Sequence, residues 1–105
     1  MAFMKQIVAI VKPFRAQAVL EAIGEFDPDH VQVAEAKGFG RQKDRLAQYR
    51  GSQFNLAYLP KIEIQVLASD ELAPRIAERI VEIARTGRIG DGKIFMFPVI
   101  GDIDF

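Results

Sequence analysis

The hydrophobic pattern of the first third of the chain predicts a strand, a helix and a second strand. Residues 5–11 are rich in β-branched side chains and apolar on both alternating faces, which is typical of a strand buried on two sides. Pro13 favours a helix start, and apolar residues then recur at helical spacing over 14–26. Alternation over 30–37 indicates a half-buried strand.

The last third repeats this order. Residues 62–66 alternate cleanly and predict a strand, and Ser69 is placed to cap a helix with two acids in its first turn. That helix runs to Arg85, with Gly87 at its C-terminal cap. Residues 94–99 are apolar at every position. The order βαββαβ predicts one α+β domain over 1–105, a ferredoxin-like sandwich with one open sheet face. Since exposed apolar faces are usually interfaces, we expect an oligomer packed through its sheets.

A long polar segment, residues 38–61, separates the second and third predicted strands. It carries five basic residues and one acid, namely Arg41, Lys43, Arg45, Arg50, Lys61 and Asp44. Connections longer than about 12–15 residues in a compact domain are usually functional or disordered. We therefore expect this loop to be the working part of the molecule.

Composition narrows the function classes. Fourteen basic residues balance fourteen acidic ones, so no overall charge favours nucleic acid or membrane surfaces. The absence of cysteine excludes disulfides and thiolate chemistry, and the lone His30 lacks the partners of a metal site. No arrangement of side chains indicates catalysis, so we expect no enzyme. No apolar run approaches a membrane span, and we expect a cytoplasmic protein without membrane insertion.

Two glycine-rich basic segments are candidates for anion binding. They are Gly-Phe-Gly-Arg-Gln-Lys at 38–43 and Arg-Thr-Gly-Arg-Ile-Gly-Asp-Gly-Lys at 85–93. Glycine lets backbone N–H groups approach an anion closely, and lysine and arginine neutralise phosphate charge. Neither segment is a P-loop or a dinucleotide fingerprint. Taken alone, the second segment also reads as a helix cap followed by a turn.

Five segments together resemble the nitrogen-regulatory P-II signal-transduction proteins: 10–14, 38–43, 49–51, 59–61 and 84–95. The resemblance runs without gaps over about 4–99. It implies a homotrimer with a nucleotide site in each cleft between subunits, taking ATP, ADP or AMP. It also implies 2-oxoglutarate bound through Mg²⁺ and ATP, and a T-loop, about 38–60, that inserts into a membrane transporter or a metabolic enzyme.

The resemblance assigns roles residue by residue. The nucleotide site would comprise Gly38, Gly40, Arg41, Gln42, Thr86, Gly87, Arg88, Gly90, Asp91, Gly92 and Lys93. Gln42 would also face the metal, and Lys61 would pair with a 2-oxoglutarate carboxylate. Ile10 and Val66, on adjacent strands, are candidates for the wall of the adenine pocket, with plain core packing as the alternative.

The resemblance also assigns T-loop residues to partner binding, namely Lys43, Arg45, Tyr49, Arg50 and Phe54.

Some positions depart from the family pattern. Phe54 stands where many members carry a uridylylated tyrosine, and Ser52 falls where another branch carries a phosphorylated serine. Asp102 and Asp104 occupy the tail where members place phosphate-binding arginines. We expect these acids to disfavour ATP relative to ADP or AMP and to weaken 2-oxoglutarate binding in turn.

Two other classes of protein share this architecture. A trimer of the divalent-cation-tolerance type would need His or Cys ligands, of which the chain offers only His30. A ferredoxin-like nucleic-acid module would need aromatic and basic residues on the open sheet face, where only Phe95 and Phe97 qualify as aromatics on the last strand. The sequence favours the P-II-like regulator, including a divergent branch linked to metal or bicarbonate transport, and favours no nucleic-acid partner.

Overall fold

The structure is a computed structural model that describes residues 3–38, 59–88 and 90–105. Its elements are β1 (Met4–Val11), α1 (Pro13–Gly24), β2 (His30–Gly38), β3 (Leu59–Ser69), α2 (Leu72–Ala84) and β4 (Gly92–Val99). The predicted βαββαβ order is confirmed. In the described part of the chain, no helix combines the length and the apolar character that crossing a membrane requires.

The four strands form one antiparallel sheet in the order β2-β3-β1-β4. Val11, the last residue of β1, faces Ile62 of β3 and Gly92 of β4. We call this edge of the sheet the loop end. Met4, at the start of β1, faces Ser69 and Val99 at the far end. The ferredoxin-like fold follows from this topology together with two helices on one face.

The helices cover one face of the sheet and form the core with it. Alternate residues of β1 and β3 point to this face, and the side chains of Ile7, Ile64 and Val66 are fully buried there. Ile76 and Ile80 supply the apolar stripe of α2, spaced one helical turn apart. Each such side chain contributes about 1.5–3 kcal/mol on burial, so this face holds the single chain together.

No helix or loop among the described residues covers the other face of the sheet. Phe95 and Phe97 of β4 lie there, 40% and 49% exposed, with their rings 6.3 Å apart. Beside them, the amide of Gln6 donates to the side-chain oxygen of Gln65 at 3.0 Å. The last strand is also exposed toward the helices, since Met96 at the sheet edge is 41% exposed. The predicted open face is present among the described residues and carries apolar side chains, but Gln6, Glu63 and Gln65 add polar groups to it.

The strands that flank the T-loop are longer than predicted. β3 begins at Leu59, three residues before the predicted start, because its first residues pair with the end of β2. Gly38 faces Leu59, so the strand ladder fixes the base of the T-loop. β4 likewise begins at Gly92, where it pairs with Val11, rather than at the first apolar residue.

Two helix boundaries also differ from the prediction. α1 ends at Gly24 instead of continuing to residue 26, and Asp27, with φ 51°, turns the chain out of the helix. α2 begins at Leu72, so Asp70 and Glu71 precede it rather than forming its first turn. The expected role of Ser69 survives in part, because its hydroxyl oxygen accepts the backbone N–H of Leu72 at 3.2 Å.

Candidate functional site

Four segments of the chain converge at the loop end of the sheet. They are the end of β1 with Lys12, the start of β3 with Lys61, the loop 85–91 and the start of β4. Antiparallel pairing places them together, since the last residue of β1 lies opposite the first residues of its two neighbours. The base of the T-loop, Gly38 and Leu59, lies at this same end. Gly38, the first residue of one glycine-rich segment, thus lies at the same end of the sheet as the other segment, 85–93.

Asp91 is the centre of the loop 85–91. Its Oδ2 accepts the backbone N–H of Thr86 at 2.6 Å, of Gly87 at 2.8 Å and of Arg88 at 3.2 Å. Its Oδ1 accepts the Thr86 hydroxyl and the Lys12 ammonium, the latter at 3.1 Å. One carboxylate therefore gathers donors from two separate parts of the chain.

The backbone of this loop depends on two glycines in the left-handed region. Gly87 has φ 89° and Gly90 has φ 86°, values that side chains with a Cβ rarely adopt. Arg85 closes α2, its N–H donating to the carbonyl of Val81 at 3.0 Å. Gly87 therefore lies past the helix cap, and its left-handed backbone helps to aim its own N–H at Asp91.

Gly92 is needed for a different reason. A Cβ at this position would lie 2.6 Å from the carbonyl oxygen of Ile10, an approach that real side chains essentially never make. Close contact between β1 and β4 thus requires glycine here. The resemblance assigns Gly92 to phosphate binding. The close contact between the strands is by itself a sufficient reason for glycine at this position.

Lys61 is a buried cation beneath the loop. Lys61 is 6% exposed, and its ammonium donates a hydrogen bond to the carbonyl of Gly90 at 2.8 Å. Burial, and secondly the nearby Lys12 ammonium, lower the pKa of Lys61, while Asp91 opposes this shift. Lys12, Lys61 and Asp91 leave one positive charge in excess, which favours an anion at this end of the sheet.

Asp91 stays ionised throughout the physiological range. The Thr86 hydroxyl bond, the backbone N–H groups and the Lys12 ammonium together hold the pKa of Asp91 well below its ordinary value, against a smaller opposing effect of burial. The side chains of Lys12 and Asp91 are 20% and 16% exposed, so this ion pair is partly shielded from water.

A hollow of about 250 Å³ opens between the end of α2 and the start of β4, with Arg85 and Asp91 among its lining residues. Ligand pockets usually span about 300–1,000 Å³. This hollow alone is therefore smaller than a typical ligand pocket.

The other predicted site residues divide into two groups. Gly40, Arg41 and Gln42 lie outside the described residues, as do the T-loop set Lys43, Arg45, Tyr49, Arg50, Ser52 and Phe54. The two candidates for the adenine wall are described, and they lie on opposite faces of the sheet. Val66 is fully buried under the helices, whereas the register places Ile10 on the open face between Glu63 and Lys93. Leu67 is an apolar β3 residue on the same face as Ile10.

Lys12 was not predicted as part of this site. It falls in the segment 10–14 that resembles the family, but it was given no role there, whereas in the structure Lys12 forms the ion pair with Asp91. A lysine directly after a strand is too common to attract notice, and the pairing spans 79 positions. Among the described residues, no group of three or more His, Cys, Asp or Glu side chains could hold a metal ion.

The fold is ferredoxin-like, and its loop end gathers Lys12, Lys61 and the glycine-rich loop. Residues 4–101 match the family model described as nitrogen regulatory protein P-II. The chain belongs to this family, whose proteins regulate rather than catalyse. Similar relatives carry the same name: one from Azospirillum brasilense is 50% identical and one from Rhizobium meliloti 48%, each over 91% of this chain and 86% of the relative.

A solved structure supports the same assignment. The crystal structure of Arabidopsis thaliana PII bound to citrate superposes with a TM-score of 0.72 at 30% sequence identity. The match covers 93% of this chain and 78% of that chain. The predicted membership of the P-II superfamily, with signal transduction and nitrogen regulation as its field of action, is confirmed.

Proposed function

We propose that this protein works as a homotrimer that binds ATP, ADP or AMP in the clefts between subunits and controls a partner protein through its T-loop. The observation that carries the proposal is the convergence of the loop 85–91, Lys61 and the base of the T-loop at one end of the sheet. A ligand bound there touches the segments that hold the T-loop. Nucleotide occupancy can therefore be passed to the loop that meets the partner.

The open sheet face supports the trimer. Phe95 and Phe97 are too exposed, and too close together, for a surface that faces only water. The incomplete enclosure of the 250 Å³ hollow points the same way, since a neighbouring subunit would supply the missing wall. Assembly and ligand binding are then two aspects of one interface.

In this proposal, side chains contribute more to phosphate binding than the backbone N–H groups of residues 86–88 do. The N–H groups of Thr86, Gly87 and Arg88 already donate to Asp91. The exposed side chains of Arg88 and Lys93 remain, with the Lys93 ammonium 5.5 Å from the centre of the Phe95 ring on the open face. These two cations flank the loop and suit a diphosphate or triphosphate.

A second ligand would be 2-oxoglutarate, bound with Mg²⁺ and ATP. Lys61 is the candidate for its carboxylate, and Gln42 for the metal side. The bound citrate of the Arabidopsis protein shows that a P-II chain accepts a polycarboxylate. Asp102 and Asp104 are exposed in the tail and would repel polyphosphate if it approached them, so we expect ADP or AMP to bind better than ATP.

Calorimetry with AMP, ADP and Mg-ATP, each with and without 2-oxoglutarate, tests the proposal. We expect binding of at least one adenine nucleotide, weakened about tenfold by Lys93→Ala, which removes one charge-assisted contact. Lys5→Ala, which removes a lysine at the far end of the sheet, serves as the matched control and should bind as the parent does. If no adenine nucleotide binds, the sensing function is refuted. If Mg-ATP binds most tightly, the expectation for the acidic tail is wrong.

The regulated partner is a membrane transporter or a metabolic enzyme, and the T-loop residues Lys43, Arg45, Tyr49, Arg50 and Phe54 would meet it. Because Phe54 has no hydroxyl, a uridylyltransferase with UTP should leave the protein mass unchanged. A mass gain mapped to Tyr49 would contradict this assignment, and phosphate on Ser52 would show a different modification. Action in the cytoplasm stays a prediction.

A further inference from the structure

We infer that Asp91 is a positioning residue: its carboxylate fills an anion pocket formed by the N–H groups of Thr86, Gly87 and Arg88 and by the Lys12 ammonium, and so fixes the loop before a nucleotide arrives. The inference rests on the proposed function in one respect, that the loop binds nucleotide. The pocket itself is formed by hydrogen bonds that the structure shows.

The geometry is that of an anion site whose anion belongs to the chain. Three consecutive backbone N–H groups turned toward one point form a concavity that binds phosphate or carboxylate in many proteins. Here all three donate to one oxygen of Asp91, at 2.6 to 3.2 Å. The second oxygen takes the Thr86 hydroxyl and the Lys12 ammonium. Lys12 follows β1 directly, so the ion pair ties the loop to the sheet.

This arrangement decides which groups a nucleotide can use. A phosphate cannot take the three N–H groups without displacing a carboxylate that is covalently fixed in place. The loop instead offers the side chains that project from it, including that of Arg88. On the other side of the loop, Lys61 holds the Gly90 carbonyl at 2.8 Å. Asp91 thus holds the N–H groups of residues 86–88, and Lys61 holds the carbonyl of Gly90.

Chemical rescue distinguishes a positioning carboxylate from a merely structural one. Asp91→Ala leaves the three N–H groups and Lys12 facing an empty pocket that formate can fill. We expect ADP affinity, measured by calorimetry, to fall about tenfold or more in Asp91→Ala and to recover as formate is added. Asp91→Asn keeps one acceptor oxygen and should lose less. The control Asp70→Ala removes the carboxylate that pairs with Lys5 at the far end, and it should bind ADP as the parent does, with no response to formate.

Amide hydrogen exchange gives a second measurement that needs no nucleotide. The N–H groups of Thr86, Gly87 and Arg88 should exchange slowly in the parent, rapidly in Asp91→Ala, and slowly again with formate. Rapid exchange in the parent would overturn the inference, as would Asp91→Ala protein whose ADP affinity is unchanged or is lost without rescue. If the parent binds no nucleotide, the proposed function fails, and formate-dependent protection still decides whether Asp91 organises the loop.

Discussion

Two lysine–aspartate pairs lie at opposite ends of β1. They differ in the exposure of their side chains and in the hydrogen bonds of the aspartate. At the far end, Lys5 meets Asp70 at 3.2 Å, with side chains 34% and 45% exposed. At the loop end, Lys12 meets Asp91 at 3.1 Å, with side chains 20% and 16% exposed. The distances are alike. The aspartates differ, because Asp91 also accepts three backbone N–H groups and a hydroxyl.

The comparison shows that distance alone does not distinguish an exposed ion pair from one embedded in a hydrogen-bonded loop. An exposed pair in water contributes about 0–1 kcal/mol, because solvent and salt screen it. A partly shielded carboxylate with several donors organises the backbone around it, because a single oxygen fixes the direction of three N–H groups. The same contrast separates the two ends of the sheet. The far end carries an exposed ion pair, and the loop end holds the residues that the proposed function uses.

The largest expected difference between the two ends concerns glycine. Gly92→Ala pushes a Cβ against the Ile10 carbonyl at the loop end and should lower the free energy of unfolding by about 1–3 kcal/mol. Gly101, beyond the far end of β4, has nothing within 4 Å, and Gly101→Ala should change it by less than about 0.5 kcal/mol. Denaturant unfolding measures both. Equal effects would mean that β1 and β4 do not approach as closely as described.

The next difference appears at alkaline pH. The pKa of Lys61 is lowered from 10.5 in the folded chain, so the unfolded chain binds more protons between the two values. The free energy of unfolding should therefore rise with pH in that window. Lys61→Met removes the buried ammonium and should flatten this rise. Lys5→Met at the far end should keep it, and a rise that persists in Lys61→Met would contradict the assignment.

Acid sharpens the contrast between the two aspartates. Because the folded pKa of Asp91 lies below its ordinary value of 3.8, its contribution is complete above about pH 4 and is lost as the pH falls further. The free energy of unfolding, measured from pH 7 to pH 2, should fall more steeply below pH 4 in the parent. The fall should be shallower in Asp91→Asn. Asp70→Asn should retain the parental slope, since that carboxylate is half exposed and pairs with Lys5.

The smallest expected effect belongs to the far-end pair. Asp70→Ala should cost about 0–1 kcal/mol, and the cost should shrink as salt is added, because the pair is exposed. Thermal unfolding at low and high ionic strength provides the measurement. A larger cost that salt does not reduce would remove the distinction between the two pairs.

Periodicity was enough to predict the elements of the fold, because a strand or helix that is buried on one face carries apolar residues at a regular spacing. The alternation around Ile64 and the helical stripe of Ile76 and Ile80 both match the buried core. Boundaries were less accurate where pairing, not hydrophobicity, decides them. Leu59 and Gly92 begin their strands because a neighbouring strand offers hydrogen bonds there.

The candidate site was predictable only as a list of residue types. Glycines and basic residues in 85–93 indicated anion binding, but nothing in the pattern showed that Asp91 already occupies three of the N–H groups. Lys12 escaped notice because its partner is distant in sequence. Ile10 and Val66 were paired as one wall, although a shift of one residue along a strand moves a side chain to the opposite face.

Native mass spectrometry of the purified protein with ADP tests the central claim most directly, because it reports assembly and ligand together. The account predicts a species of three times the chain mass that takes up one, two and then three nucleotides as ADP is added. In Lys93→Ala the trimer should persist while nucleotide uptake shifts to higher concentration. A protein that stays monomeric at micromolar concentration, or a trimer that takes up no nucleotide, would contradict the account.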